Sequence, residues 1–360
     1  MKLLMECIDI DESEGYFWGY NCNALFRVNM NTYVVDYLYS YDSMHSDNER
    51  LFSAIKVIGD NVVLAPMKAD EIIVFNRKNN EVKQFTIPLI DAPYKNEAKF
   101  YNVIEYQGDA YIIGHSYPGI LRLNLKKGDV ELYLDFSSSF NDKELGQDIF
   151  RDNVTCIDGK YYLPCCNTNA VFEVNLKNRE YKRFDVGAND RRFSSIEFDG
   201  KYFWIFPLKD YVIVKWQKNE NTTIEYDLNK EVVEGDNLIR CRTFNLNEFI
   251  ISMPLADYEV IIVNKHNSEI SYINIPEKIA KGNRYVSDLM GSFCYKNEVY
   301  VWSRGNGELY KIDINNNQIN SMGVKLKIPK SVPTKYKVIE NKYFEQTDYS
   351  LQEYVEDIIY

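Results

Sequence analysis

Short apolar runs recur along this chain, each closing on a polar residue. The copies are Leu25-Phe-Arg-Val-Asn29, Ile72-Ile-Val-Phe-Asn76, Ile120-Leu-Arg-Leu-Asn124, Val171-Phe-Glu-Val-Asn175, Val212-Ile-Val-Lys-Trp-Gln217, Val260-Ile-Ile-Val-Asn264 and Leu309-Tyr-Lys-Ile-Asp313. Their last residues are 47, 48, 51, 42, 47 and 49 positions apart. A period of this size suits a four-stranded propeller blade.

Each repeat carries the same four pieces. In the fourth, residues 153–157 read as strand A, Asp158-Gly159 as a tight turn, 160–163 as strand B, 171–175 as strand C and 180–185 as strand D. The A–B turn recurs as Gly59-Asp60, Gly108-Asp109, Gly200-Lys201 and Asn297-Glu298, all suited to hairpins. Strand B is almost continuously apolar, as in Tyr202-Phe-Trp-Ile-Phe206 and Val299-Tyr-Val-Trp302. That pattern means both faces are covered, as happens when each blade is sandwiched between two others. No helical pattern separates the strands, which excludes a parallel βαβ sheet. Two β-sandwiches would not need an even sevenfold period. The expected fold is all-β, a seven-bladed β-propeller of four-stranded antiparallel blades, with a short C-terminal helix. The blades span about 3–39, 51–88, 100–134, 152–185, 193–228, 238–275 and 286–326 within a propeller domain of 1–328.

Both termini keep the A-to-D order within their own blade, so ring closure is expected from face packing and the tail rather than from a shared blade. The period stops past Pro329, and 329–360 reads as a linker and an amphipathic helix. Leu351, Tyr354, Val355, Ile358 and Ile359 follow i, i+3, i+4, i+7, i+8, and Ser350 with Glu353 forms a capping box. This stripe is expected to pack on the propeller itself or in a partner's groove.

Composition narrows the function. Net charge is −11, so the overall field opposes nucleic acid and anionic membrane, and neither is expected as a partner. Aromatics make up 14% of the chain, with 29 Tyr and 19 Phe, which favours strands. The first residues, MKLLMECIDIDESEG, lack the apolar run of a signal peptide, and no window approaches 18 apolar residues. Seven cysteines show no spaced framework. A reducing cytoplasm is the expected compartment.

No metal-ligand, phosphate-loop, dinucleotide or nucleophile-elbow motif is present, so no metal and no cofactor are expected. Asp70, Asp210 and Asp257 recur in B–C loops, where Asx turns account for them. Cys165-Cys166 is an adjacent loop pair better read as inert than redox-active. His115-Ser-Tyr-Pro-Gly119 is the most unusual B–C loop, offering His115 as a base and Tyr117 as a ring. Arg50, Lys99, Arg151 and Arg192 stand nine, nine, eight and eight residues before Gly59, Gly108, Gly159 and Gly200, and Arg240 seven before Asn247. Each opens the innermost strand of its blade. Together they are expected to ring the channel mouth beside Tyr101 and Phe193, unless loop acids such as Asp152 and Asp190 neutralise them.

The segments Asn124-Leu-Lys-Lys-Gly-Asp-Val-Glu-Leu-Tyr-Leu and Ile312-Asp-Ile-Asn-Asn-Asn-Gln-Ile resemble the strand–turn–strand signature of streptogramin lyase-like and NHL-type propellers. The WD dipeptide and the kelch double glycine are absent. The Asn, Lys, Ile and Tyr usage fits an AT-rich bacterial genome. The resemblance implies a lyase chemistry of histidine, carboxylate and magnesium, for which His115 is the loop candidate, though no matching motif surrounds it. The leading expectation is a non-enzymatic binding or scaffold protein, taking a small polar or anionic ligand, or a protein partner, at the channel mouth. The alternative is a lyase or hydrolase acting in the central funnel.

Overall fold

The computed structural model describes residues 3, 5–19, 22–41, 51–151, 153–208, 210–228, 240–254, 259–276, 279, 291–303, 307–326 and 329–332, with the side chains at 6, 97, 240 and 241 outside that set. Arg50, Asp152, Asp257, the side chain of Arg240 and the expected helix at 350–359 therefore lie outside the described residues.

Twenty-eight strands, numbered in chain order, form seven four-stranded antiparallel sheets, each made of four consecutive strands. Blade 1 is β1 (Met5–Asp11), β2 (Glu14–Gly19), β3 (Ala24–Asn29) and β4 (Val35–Ser40). The first strand of each blade is the innermost. In blades 2 to 7 these are β5 (Phe52–Ile58), β9 (Phe100–Tyr106), β13 (Thr155–Ile157), β17 (Phe193–Phe198), β21 (Arg240–Asn245) and β25 (Gly291–Tyr295). β1 packs beside both β5 and β25, so the ring is closed. Blade 7 meets blade 1 through Phe17, Phe26, Phe293, Trp302, Leu309 and Leu326, with Val332 of the tail packed into the same seam. Closure is thus by face packing, and no strand is shared between the termini. Each large side chain buried there contributes about 2–3 kcal/mol of transfer free energy.

The polar residue that closes each apolar run has a local job. Its side-chain oxygen accepts backbone N–H groups of the C–D turn: Asn29 from Asn31 and Thr32, Asn76 from Lys78 and Asn79, Asn124 from Lys126 and Lys127, Asn264 from His266 and Asn267. Four residues after each anchor stands a left-handed residue, in order Tyr33, Asn80, Gly128, Arg179, Asn221, Ser268 and Asn317, with φ between 49° and 72°. The Asx turn supplies the acceptor that holds Tyr33, Asn80, Arg179, Ser268 and Asn317 in this region.

The upper ends of the inner strands are less regular than the turns. In blades 1, 2, 3, 5 and 6 a bulge inserts one extra residue near the start of the strand, at position 6, Ser53, Tyr101, Ser194 and position 241. Blade 4 departs further. Its inner strand was expected over 153–157 and covers only Thr155–Ile157, preceded by an isolated bridge between Phe150 and Cys165. Asn153 lies between these two pairings and in neither, and it reaches past blade 5 to β21.

Candidate functional site in the axial channel

The inner strands enclose a cavity of about 310 Å³ on the axis. Its wall is uneven. β1, β5, β9, β21 and β25 supply residues to it, blade 4 supplies only Asn153, and blade 5 supplies none. The charged side chains of the wall are Asp9, Lys56 and Arg242. Lys56 Nζ lies 3.1 Å from Asp9 Oδ1, and the other Asp9 oxygen accepts the Val57 N–H at 2.8 Å. Arg242 donates one N–H to the Ser292 carbonyl at 3.0 Å. Tyr101, Phe244 and Phe293 add aromatic surface.

Where blade 4 retreats, Asn153 closes the wall. Its amide nitrogen donates to the Thr243 carbonyl at 3.0 Å and to the Thr243 hydroxyl oxygen at 2.9 Å. Its amide oxygen accepts the Thr243 N–H at 3.2 Å. One side chain thus pairs with the β21 backbone as a strand would. Behind it, on β17, lies Glu197, almost wholly buried. The Glu197 carboxyl accepts the Thr243 hydroxyl at 3.0 Å and the Asn153 amide at 3.4 Å. Burial without a paired cation pushes its pKa up to about 7, against the lowering effect of Thr243, Asn245, Lys265 and Asn153.

The residues expected to ring the mouth do other work. Lys99 is buried and donates to the carbonyls of Asn96 at 2.6 Å and Lys68 at 3.3 Å, with Asp70 at 4.0 Å. Arg192 donates to the carbonyls of Arg191 and Asn189. Arg151 is buried with its guanidinium 5.8 Å from the Tyr101 ring centre. For Lys99 and Arg192 the physical reason is the bulge, which blade 4 of Arg151 lacks. The opening residue precedes the inserted position, so it turns back to the carbonyls of the loop it leaves, while residues beyond the bulge line the channel. Among the described members of the expected set, Tyr101, itself a bulge residue, is the one that lines the cavity.

Phe193 and Tyr117 are packing residues. Phe193 is buried between blades 4 and 5, and Tyr117 is fully buried against Phe100 and Tyr94, its hydroxyl donating to the Pro88 carbonyl. Gly114 opens this loop, and a Cβ there would sit 1.7 Å from the Tyr117 carbonyl oxygen, so only glycine fits. His115 is buried beneath the mouth. Its Nδ1 bonds the Phe150 carbonyl, its Nε2 lies 3.4 Å from Asp148, and its ring meets Tyr101 edge-on at 4.4 Å. Burial pushes its pKa down, against the Asp148 carboxylate. Burial likewise pushes the Cys166 thiol up to about 12 and the Cys165 thiol well above its usual value, so neither is a thiolate at neutral pH.

Among the described residues, no three His, Cys, Asp or Glu side chains converge to hold a metal ion. His115 is buried, and its half-exposed partner Asp148 is already paired with Lys95 at 3.0 Å, so the two do not fit a histidine–carboxylate–magnesium centre.

No known protein family matches the chain, and no curated protein is similar to it in sequence. Solved structures share its fold. A catalytically inactive virginiamycin B lyase from Staphylococcus aureus, crystallised with quinupristin, superposes with a TM-score of 0.63 at 12% identity, covering 83% of this chain and 91% of its own. The computationally designed Ika8 protein gives 0.57 at 9% identity, with 89% and 86% covered. BamB from Moraxella catarrhalis gives 0.51 at 13% identity, with 83% and 80% covered. At such identities the likeness is one of fold, and it agrees with the lyase-type propeller signature in the sequence.

Proposed function

We propose that this propeller is a non-enzymatic binding protein that takes a small anion into its axial cavity. The observation that carries this reading is the charge of the wall: among the described residues that line it, two are cations, Lys56 and Arg242, and one is a carboxylate, Asp9, inside a chain of net charge −11. Protein walls of low dielectric focus such a local excess onto the axis. Arginine forks suit carboxylate and sulfate oxygens, and Tyr101, Phe244 and Phe293 offer apolar contact to the rest of a ligand. The volume, about 310 Å³, suits a molecule the size of benzoate. His115 supports the wall through Tyr101 rather than facing a substrate.

Calorimetric titration with benzoate, sulfate and the neutral isostere benzamide tests the reading. Both anions are expected to bind wild type more tightly than benzamide, and less tightly as salt rises. Arg242→Met is expected to weaken both by about tenfold or more, the worth of one charge-assisted hydrogen bond. Arg192→Ala, which removes donors to the Asn189 and Arg191 carbonyls, is expected to leave binding unchanged. Equal binding of benzoate and benzamide, or an Arg242→Met protein that binds like wild type, would refute it.

A further inference from the structure

We infer that anion binding in the axial cavity is coupled to the uptake of one proton by Glu197. The inference rests on the binding reading above and adds its regulation. Glu197 stands in contact with the wall through two of its members, Asn153 from blade 4 and Thr243 from blade 6, so whatever touches those residues faces the carboxyl across a single layer of side chain. The donors to the carboxyl, the Asn153 amide and the Thr243 hydroxyl, are neutral. Among the described residues, the charged groups around it are these. Lys265 lies on the lower turn of blade 6 with its ammonium bonded to Asn245 Oδ1 at 2.8 Å, and Asp199 on the turn of blade 5 sits beside that lysine. On the cavity side stand Arg242 and the Asp9–Lys56 pair.

An anion admitted next to this layer adds a negative charge close to a buried carboxyl, where the low dielectric screens little. Protonation removes the repulsion. The balance is simple: the anion and one proton from bulk solvent enter together, the proton resting on a Glu197 oxygen, and the site gains no net charge. The Glu197 proton does not move to the ligand. Asn153 and Thr243 keep the same donors whether or not the carboxyl carries its proton.

With a free-protein midpoint of about 7, affinity for an anion of fixed charge is expected to be about tenfold weaker at pH 8 than at pH 6. Benzoate and sulfate are the probes, since both hold their charge across this range. Titration of wild type at pH 7 in two buffers of different ionisation enthalpy is expected to report uptake of about half a proton per benzoate bound. Glu197→Gln, an isostere that still accepts from Thr243 and Asn153, is expected to bind with the pH 6 affinity at every pH and to take up no proton. Affinity flat with pH in wild type, zero proton uptake, or a Glu197→Gln protein that keeps the full pH slope overturns the coupling while leaving the binding reading in place. Absence of benzoate and sulfate binding to either protein at any pH overturns the binding reading, and the coupling with it.

Discussion

Two buried carboxylates in adjoining blades show what burial alone does not decide. Glu173 lies on the third strand of blade 4, toward the lower face, and Glu197 on the innermost strand of blade 5. Each is less than a tenth exposed. Glu173 meets Lys160 at 2.8 Å, Lys218 of blade 5 at 2.5 Å and the Tyr162 hydroxyl at 2.9 Å. Burial by itself would raise its pKa, but two ammonium groups and a phenol outweigh it and hold the carboxyl at about 2. Glu197 is the more deeply desolvated of the two and receives only neutral donors from the wall, so its pKa rises to about 7. One carboxylate is a clamp between blades. The other is a proton site beside a cavity. Charged donors on Glu173 and the deeper desolvation of Glu197 together make the difference.

The two groups should leave opposite marks on stability. Glu173 has its folded pKa below the unfolded value, so its contribution is present above about pH 4.5 and is lost as pH falls toward 2. Glu197 has its folded pKa above the unfolded value, so its contribution is whole below about 4.5 and is lost as pH rises through 7. The largest effect is expected from Glu173→Ala. It leaves Lys160 and Lys218 facing each other at the blade 4–5 seam and should cost about 3–5 kcal/mol at pH 7, read by urea unfolding. A loss under 1 kcal/mol would show that the solvent reached by both lysines already screens them, and the contrast with Glu197 would narrow. A smaller effect, of opposite sign, is expected from Glu197→Gln. It should stabilise the protein by up to about 3 kcal/mol at pH 8, from about 2.5 pKa units at 1.36 kcal/mol each, and by almost nothing at pH 4. A glutamine variant less stable than wild type at pH 8 would break the comparison, because it would mean the ionised carboxylate is welcome where it sits.

The ring was legible in the sequence because each repeat states its own turn chemistry. Asn76, Asn124 and Asn264 close apolar runs and then bond the turn that follows, so a pattern read as an anchor is also the device that reverses the chain. The continuously apolar strand B holds for the same reason: residues 109–114 and 203–207 are buried on both faces. The site was less legible. Counting residues from strand A to its turn assumes unbroken alternation, and a bulge in five blades defeats that count, which is why Lys99 and Arg192 serve loops while Lys56 and Arg242 face the axis. One signal was available. Phe52-Ser-Ala-Ile-Lys56 and Phe193-Ser-Ser-Ile-Glu197 are equivalent stretches of two inner strands, each placing a charge three residues before the turn glycine. A charged residue inside the most buried part of a repeat asks for a partner. In blade 2 that partner is Asp9, and for Glu197 the wall provides an amide and a hydroxyl. The reach of Asn153 from blade 4 to blade 6 spans 90 residues of sequence and depends on a broken strand, which no local pattern announces.

Glu197 is expected to be a protonated acid near neutrality, and its side-chain carboxyl can be watched directly. With glutamate labelled at the carboxyl carbon, the resonance absent from the Glu197→Gln spectrum is followed from pH 4 to 9. The expected titration midpoint is about 7, moving upward when benzoate is added. A midpoint below 5, unmoved by benzoate, would mean that the carboxylate is ionised under all ordinary conditions and would contradict both the electrostatic contrast with Glu173 and the proton-coupled site.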